Sequence, residues 1–309
     1  MRYATAAAFR TALETRLLAG SRNGTESITR LRKHVVFDRL LARLLLDPDN
    51  HWVLKGGLAL DYRFGSRART TKDADLTGPD SESRATSALI AVQSVDLGDF
   101  FEFEVQRTGH LDQIREGAAV RYRVRAFLAG RLFEEGIVDV GFGLAPIWEP
   151  ELIIGRNLLS FAGIEPVTAP TLPLELQVAE KVHAYTGTYG EGVGSTRVKD
   201  LVDLAMIAQT SAMDGDRLAT ALRVTFDQRG RQALAKDLPA PPADWRIAYR
   251  RLAGEVGVST EVLDGFQIAA QLLEPAMRGV SRGKRWDPSS RTWAAGSGPQ
   301  SRAEHGSDV

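Results

Sequence analysis

The stretch VLKGGLALDYRFGSRARTTKDADL, Val53–Leu76, contains the features that decide the fold. It has two adjacent glycines, Gly56 and Gly57, near its start and two aspartates, Asp73 and Asp75, near its end. The segment GLALDYRF is typical of a short helix, and KDADLTG is typical of a short strand. Side chains at positions i and i+2 of a strand point to the same face, so both carboxylates are predicted to converge on one volume.

Two like charges at that spacing suggest a bound cation. Mg²⁺ prefers oxygen ligands and leaves coordination positions for substrate phosphates. Asp139 is a third candidate ligand because it lies in the middle of the predicted strand IVDVGF, where an acid is a poor strand former. Three such acids can hold two metal ions that activate an attacking oxygen and stabilise a leaving phosphate. The alternative is that Asp73 and Asp75 form a solvated strand end that caps the next helix.

The glycine pair and the following loop are candidates for phosphate binding. Gly56 and Gly57 have no Cβ, so a phosphate can approach their backbone N–H groups at the start of a helix. Arg67 and Arg69 precede the two acids and could clamp phosphate oxygens. The alternatives are a tight turn for the glycines and ordinary solvent exposure for the arginines.

Lys181 interrupts an apolar stripe on the predicted helix over residues 173–186. Burying its ammonium without a partner would be costly. Either the side chain extends to an edge of the helix, or the ammonium faces an anion. His183 falls on the opposite face of this helix and is predicted to be solvated.

A second predicted helix, over residues 196–212, contains the sequence RVKDLVDL. Lys199, Asp200 and Asp203 share its polar face. The glycine-rich residues 187–194 before it are predicted to form a mobile loop. On its own, this pattern favours a linker followed by an amphipathic surface helix.

Alternating residues predict a sheet in the centre of the chain. The segments FFEFEVQ, AAVRYRVRAFLAG and GIVDVGFG all have the period of two that is typical of half-buried strands. The alternating arginines Arg121, Arg123 and Arg125 could bind nucleic acid, but pairing with Glu102 and Glu104 on a nearby strand is the better interpretation. The Pro-containing stretch EPVTAPTLPLE then predicts a domain boundary, after which only helices are indicated.

Composition narrows the functional classes. The chain has 309 residues, 43% of them hydrophobic, a formal net charge of zero and no cysteine. These values exclude a disulfide framework and a thiolate metal site, and they restrict any nucleic-acid contact to a local surface. Neither a membrane-spanning run nor a signal peptide is indicated, so a cytoplasmic protein is expected.

The ordered combination of these motifs resembles a known family. LKGGLALDYRFGSRARTTKDADL, the strand acid Asp139, EKVHAY and RVKDLVDL together are similar to the AbiEii/AbiGii toxin branch of the nucleotidyltransferases, which includes the mycobacterial MenT toxins. The match runs from about Val53 to Leu204. Ala74 is smaller than the aliphatic residue usual between the two acids.

The resemblance implies an α+β fold, namely a polymerase-beta-like nucleotidyltransferase domain with a mixed sheet and N-terminal helices, followed by an all-helical domain and a cleft between them. We therefore expect domains at 1–165 and 172–279 and a disordered tail at 281–309, since the tail has little to bury.

The resemblance also assigns roles to the motif residues. It implies that Gly56 and Gly57 bind phosphates and that Asp73 and Asp75 bind Mg²⁺ or Mn²⁺. It further implies that Lys181 contacts a nucleoside triphosphate and that Asp200 or Asp203 supports catalysis. Lys199, Arg67 and Arg69 complete the expected nucleotide-binding set.

The expected activity is that of a toxin that adds nucleotides to the 3′ end of tRNA, and its expected partner is an antitoxin. The alternatives are nucleotidylation of a protein or small molecule, and a non-catalytic binding module.

Overall fold

The computed structural model describes residues 1–24, 26–78, 81–111, 119–142, 147–187, 197–230 and 232–295. These residues form two compact units: the first comprises Met1–Gln177 and Glu255–Gly257, and the second comprises the rest. The predicted boundary between 165 and 172 therefore lies slightly before the observed division. Most of the predicted loop at 187–194 and the end of the tail, from 296 onwards, lie outside the described residues.

The first unit is built around a mixed seven-stranded sheet. Its helices are α1 (Ala6–Asn23), α2 (Ile28–Leu44), α3 (Gly56–Phe64) and α4 (Glu82–Ala91). Its strands are β1 (Val53–Lys55), β2 (Asp73–Thr77), β3 (Phe101–Leu111), β4 (Ala119–Leu128), β5 (Arg131–Gly141), β6 (Glu151–Ile154) and β7 (Thr168–Thr171). The strand order is β3-β4-β5-β2-β1-β7-β6, with β2–β5 and β1–β7 parallel and the other pairs antiparallel. The predicted mixed sheet with helices is therefore confirmed.

The central strands of this sheet have one apolar face and one charged face. Ala74 and Leu76 of β2 are buried with Val138 and Val140 of β5, and α2 packs on β5. Residues directly opposite on neighbouring strands lie on the same side of a sheet. The alternate residues of β1, β2, β4 and β5 therefore share the other face, which contains the acids that the sequence singled out.

The Pro-containing stretch is part of the sheet, contrary to the predicted domain boundary. Residues Thr168–Thr171 form β7, which pairs with β6 along its length but with β1 only through Leu54 and Thr171. Proline has no N–H to donate to a strand ladder. Pro170 is tolerated because β7 is short and needs little hydrogen bonding on the β1 side.

The second unit is mainly helical, as predicted. It contains most of α5 (Leu174–Thr186), together with α6 (Val198–Thr210), α7 (Gly215–Arg229), most of α8 (Arg246–Val256) and α9 (Val262–Met277). It also contains a small sheet in the order β10-β9-β8, which the sequence did not indicate. Its strands are β8 (Met213–Asp214), β9 (Lys284–Asp287) and β10 (Thr292–Ala295).

The prediction of a disordered tail from residue 281 is wrong for Lys284–Ala295. Trp286 of β9 is 1% exposed, its indole N–H donates to the carbonyl of Ala208 over 2.8 Å, and its ring packs on Trp293. A buried Trp contributes a large apolar area when its N–H has a partner. The polar composition of the tail concealed two Trp residues that pair across a hairpin.

In the described part of the chain, no helix combines the length and the apolar character needed to cross a membrane.

Candidate active site

The two motif aspartates lie on the charged face of β2. Asp73 and Asp75 are half-buried, whereas Ala74 between them is 1% exposed and points into the core. The structure therefore places both carboxylates on one side of the strand, as the spacing predicts.

Gly56 and Gly57 begin α3 directly beside these acids. A Cβ on Gly56, where φ is +66°, would lie 2.0 Å from Oδ2 of Asp75. A Cβ on Gly57 would lie 2.8 Å from Oγ1 of Thr71. Both glycines are therefore needed for close packing, and the Asp75 carboxylate lies at the N-terminus of α3, where the helix dipole favours negative charge.

Asp139 lies beside Asp75 but is already bound to an arginine. The parallel pairing of β2 with β5 puts Asp75 opposite Asp139, and the antiparallel pairing of β5 with β4 puts Asp139 opposite Arg121. Arg121 donates from Nε to Oδ1 over 2.8 Å and from Nη2 to Oδ2 over 2.7 Å. This bidentate pair is the strong geometry for an arginine and a carboxylate.

Arg121 lies in the electrostatic field of all three acids. Hydrogen bonding to Asp139 raises the pKa of Arg121 above its usual value. The negative charges of Asp73 and Asp75 act in the same direction. Arg121 therefore balances part of the charge that these carboxylates concentrate on one face of the sheet.

The expected cross-strand pairing of arginines with glutamates holds only in part. Arg125 donates to Glu104 over 2.8 Å, as predicted. Arg121 instead pairs with Asp139, because β4 lies between β3 and β5 and that side chain turns towards β5. Local alternation showed which residues share a face but not which neighbouring strand each side chain contacts.

Sequence reasoning also omitted Lys55 from the candidate site. Lys55 is opposite Asp75 in the β1–β2 pairing, and its Nζ lies 3.3 Å from the point where a Cβ on Gly141 would be. Its side chain therefore crosses the charged face. The signal available in the sequence was a lysine immediately before the glycine pair in a chain whose basic residues are mostly arginines.

The two loop arginines differ in position. Arg69 is half-buried, and its Nη2 lies 3.4 Å from the point where a Cβ on Gly57 would be. Arg67 ends a short 3-10 helix after α3 and is exposed. The structure thus brings Arg69 to the glycine pair and leaves Arg67 at the surface.

Lys181 forms a buried cluster within the second unit. Its Nζ donates to Oδ2 of Asp203 over 2.6 Å and to Oδ1 of Asp200 over 3.3 Å. The three residues are 7%, 0% and 3% exposed, respectively. Lys181 therefore does not extend to solvent, and both candidate motif acids contact it, with Asp203 at the shorter distance.

Two predictions about these helices are wrong. Asp200 and Asp203 lie on a buried side of α6, so the helix is not a surface helix with a solvated acidic face. Lys199 beside them is half-buried. His183 of α5 is 1% exposed and packs edge-on against Phe226 at 4.9 Å, because α5 is covered on both sides.

The charged face of β2 offers two carboxylates to a divalent cation. Among the residues with described positions, no group of three or more Asp, Glu or His side chains is arranged to hold a metal ion. Mg²⁺ is, however, commonly bound by one or two carboxylates together with waters and substrate phosphates. Asp73 and Asp75 provide two such carboxylates, whereas both oxygens of Asp139, the third predicted ligand, accept hydrogen bonds from Arg121.

Comparison with known proteins identifies the class of this protein as nucleotidyltransferase. The family model for the nucleotidyl transferase AbiEii toxin of type IV toxin–antitoxin systems matches residues 39–271, well over half of the chain. The chain therefore belongs to the AbiEii nucleotidyltransferase toxin family, as its motifs predicted. No curated protein sequence matches it.

One of two similar solved structures supports the fold. The nucleotidyltransferase toxin MenT4 from Mycobacterium tuberculosis H37Rv superposes with a TM-score of 0.55 at 20% identity, covering 87% of this chain and 99% of that one. A candidate nucleotidyltransferase from H. pylori has a TM-score of 0.48 at 18% identity, covering 80% and 96%. At such identity the MenT4 likeness supports the fold alone.

Proposed function

We propose that this enzyme transfers a nucleotide from a nucleoside triphosphate to the 3′ end of tRNA and so blocks translation. The observation that supports the site most directly is the position of Asp73 and Asp75 on the charged face of β2, against the glycine start of α3. The tRNA acceptor rests on the resemblance of the motifs and on membership of the toxin family.

The residues around α3 are suited to hold the triphosphate. Gly56 and Gly57 have no side chains of their own to cover their backbone N–H groups, which lie at the positive end of a helix dipole. Lys55 and Arg69 add positive charge beside those glycines. Arg67 stays a weaker candidate, because it is exposed and would need to move onto the phosphates.

Asp73 and Asp75 are the proposed holders of Mg²⁺ or Mn²⁺. When bound, the cation would activate the attacking oxygen of the acceptor and stabilise the leaving pyrophosphate. The two carboxylates position the cation beside the glycine pair. Their mutual repulsion, reduced by Arg121 in the free protein, favours taking up a cation.

Lys181 is the proposed contact for the triphosphate in the second unit. Its ammonium is held by Asp200 and Asp203, which fix its position and share its charge. In this proposal the two acids orient the lysine and do not act on the substrate themselves. Lys199 keeps its predicted role as a further nucleotide-binding cation.

One reaction tests the acceptor. The purified protein is incubated with each α-labelled nucleoside triphosphate, Mg²⁺ and total tRNA, and in parallel with lysate protein freed of nucleic acid. We expect label on tRNA with one or more triphosphates, and none when Mg²⁺ is chelated or when Asp75→Asn is used. Label on protein or on a small molecule would instead support the alternative acceptors.

The family also implies an antitoxin partner, and we place the reaction in the cytoplasm, where tRNA and triphosphates are present. Coexpression of the antitoxin should suppress tRNA labelling in cells. Membership of an enzyme family argues against a non-catalytic binding module. A protein that bound no triphosphate in the presence of Mg²⁺ would instead support the non-catalytic binding module.

A further inference from the structure

The pair formed by Arg121 and Asp139 occupies a position beside the proposed metal site. Asp139 is opposite Asp75 on one side and opposite Arg121 on the other. Both oxygens of the Asp139 carboxylate accept a hydrogen bond from the guanidinium. The Asp139 side chain is 10% exposed and the Arg121 side chain is 30% exposed, so water screens this pair only in part.

A carboxylate in this state is a poor metal ligand. A guanidinium is always charged at ordinary pH and, fixed on Asp139, it repels a divalent cation that approaches the same oxygens. To bind metal, Asp139 would have to release two charge-assisted hydrogen bonds. It would also leave Arg121 beside the incoming cation.

Arg121 has two further carboxylates within its electrostatic reach. The charges of Asp73 and Asp75 act on it together with that of Asp139. The face thus has three acids and, besides Arg121, the Lys55 side chain that crosses it, so its net negative charge suits one divalent ion better than two.

We propose that Arg121 is a positioning residue that withholds Asp139 from the metal, so that the site takes its cation on Asp73 and Asp75 alone. This inference rests on the proposed function, because it assumes that Asp73 and Asp75 hold the metal. It differs from the expectation that Asp73, Asp75 and Asp139 all bind metal. The remaining coordination positions are left to water and to the phosphate oxygens of the nucleotide.

The test compares Mn²⁺ affinity across single substitutions, measured by electron paramagnetic resonance and calorimetry on the full chain without nucleotide. Asp139→Asn should leave the Mn²⁺ dissociation constant within about twofold of wild type, whereas Asp75→Asn should raise it by at least about tenfold, the lower end of effects seen around metal sites. Asp139→Asn keeps a carbonyl that can accept from Arg121, so the fold should persist. Thermal melting of each variant checks this.

Arg121→Gln is expected to change Mn²⁺ affinity in the opposite direction. Removing the guanidinium frees Asp139, so Mn²⁺ should bind on the order of tenfold more tightly. The double variant Arg121→Gln/Asp139→Asn should lose that gain. If Arg121→Gln is destabilised without metal, Mn²⁺ should raise its melting temperature more than that of wild type.

Two results would overturn the inference. One is a loss of Mn²⁺ affinity in Asp139→Asn as large as in Asp75→Asn, which would show that Arg121 releases the carboxylate. The other is an absence of Mn²⁺ binding in wild type and in every variant. A protein with the expected Mn²⁺ profile that transfers no nucleotide would contradict the proposed function and leave the role of Arg121 intact.

Discussion

Asp75 is the single residue whose surroundings are most specific to the proposed site, because it contacts Gly56 and is opposite Lys55 and Asp139. We expect Asp75→Asn to lower nucleotide transfer by at least about a hundredfold, since an amide neither binds a metal as well nor takes up a proton. The melting temperature should change little, because relief of the repulsion between two neighbouring like charges offsets the loss of a carboxylate at the N-terminus of α3. Transfer assays and circular dichroism measure both effects.

The matched control for Asp75→Asn is Glu104→Gln. Glu104 is an acid on the same sheet, with a side chain 57% exposed and paired with Arg125. Its loss should change neither activity nor stability noticeably. Full transfer activity in Asp75→Asn would remove this carboxylate from the mechanism, and a large loss of melting temperature would indicate a structural acid.

Lys181 is buried, and its ammonium contacts two buried aspartates. Lys181→Met would leave Asp200 and Asp203 buried without their cation. Breaking a buried pair by removing one partner costs about 3–5 kcal/mol, so we expect a loss of that order in urea denaturation. The double variant Lys181→Met/Asp203→Asn should lose less than the sum of its single changes. A stabilised Lys181→Met variant would contradict this prediction.

At the residue scale, the sequence was informative where a local pattern was sufficient. The spacing of Asp73 and Asp75 alone predicts that they share a face, and the structure confirms it. The partner of Arg121 depends on which strand lies beside β4, which no local period encodes. His183 was misassigned for a similar reason, because the second covered side of α5 is formed by residues distant in sequence.

At the scale of elements, the junction of β1 and α3 allows a direct test of why Gly56 is a glycine. Gly56→Ala would place a methyl group 2.0 Å from Oδ2 of Asp75, so the carboxylate or the helix start must move. We expect transfer to be almost abolished, because small displacements of positioning groups are costly for catalysis. Activity and melting temperature are measured on the same preparation.

Gly65→Ala at the other end of α3 separates steric contact from backbone strain. Gly65 also has a positive φ, +59°, but a Cβ there meets nothing within 4 Å. Gly65 has ψ of −129°, outside the left-handed helical region, and an alanine in such a sparsely populated conformation costs roughly 1–3 kcal/mol, so Gly65→Ala should lose stability while keeping transfer activity. Equal losses of activity in both variants would indicate that strain in α3, and not contact with Asp75, explains the effect.

The small sheet formed by β8, β9 and β10 predicts a stability effect in a segment whose composition is typical of disorder. Trp286→Ala should destabilise the protein by about 3–5 kcal/mol, because it removes a buried aromatic side chain and leaves a cavity. Lys284→Ala, an exposed position of the same strand, should change little. Chemical denaturation of the two variants is the measurement, and an unchanged midpoint for Trp286→Ala would contradict the position of β9.

Strands with clear alternation were predicted, and strands without it were missed. The segments that became β3, β4 and β5 have uninterrupted period-two patterns. β7 contains a proline and pairs through few residues, and β8 has only two residues, so neither produces a readable period. Their existence depends on partners that are supplied by the tertiary fold.

At the scale of the whole molecule, the net charge did not predict the function. The chain has equal numbers of acidic and basic residues, yet the motif acids and the cations beside them lie on one face of the first sheet and in one cluster of the second unit. Composition counts charges without locating them. The order of the motifs along the chain was more informative, because it matches that of the AbiEii family.

The activity of the whole protein should be visible in cells. We expect expression of this chain to slow bacterial growth, because modification of tRNA 3′ ends removes acceptors for aminoacylation. Asp73→Asn should restore growth, since it removes one of the two carboxylates proposed to hold the metal, whereas Glu104→Gln at the same soluble level should stay toxic. Growth curves are paired with gel analysis of extracted tRNA. Slowed growth with unmodified tRNA would support a toxin with a different acceptor, and normal growth with confirmed soluble protein in several hosts would contradict the toxin assignment.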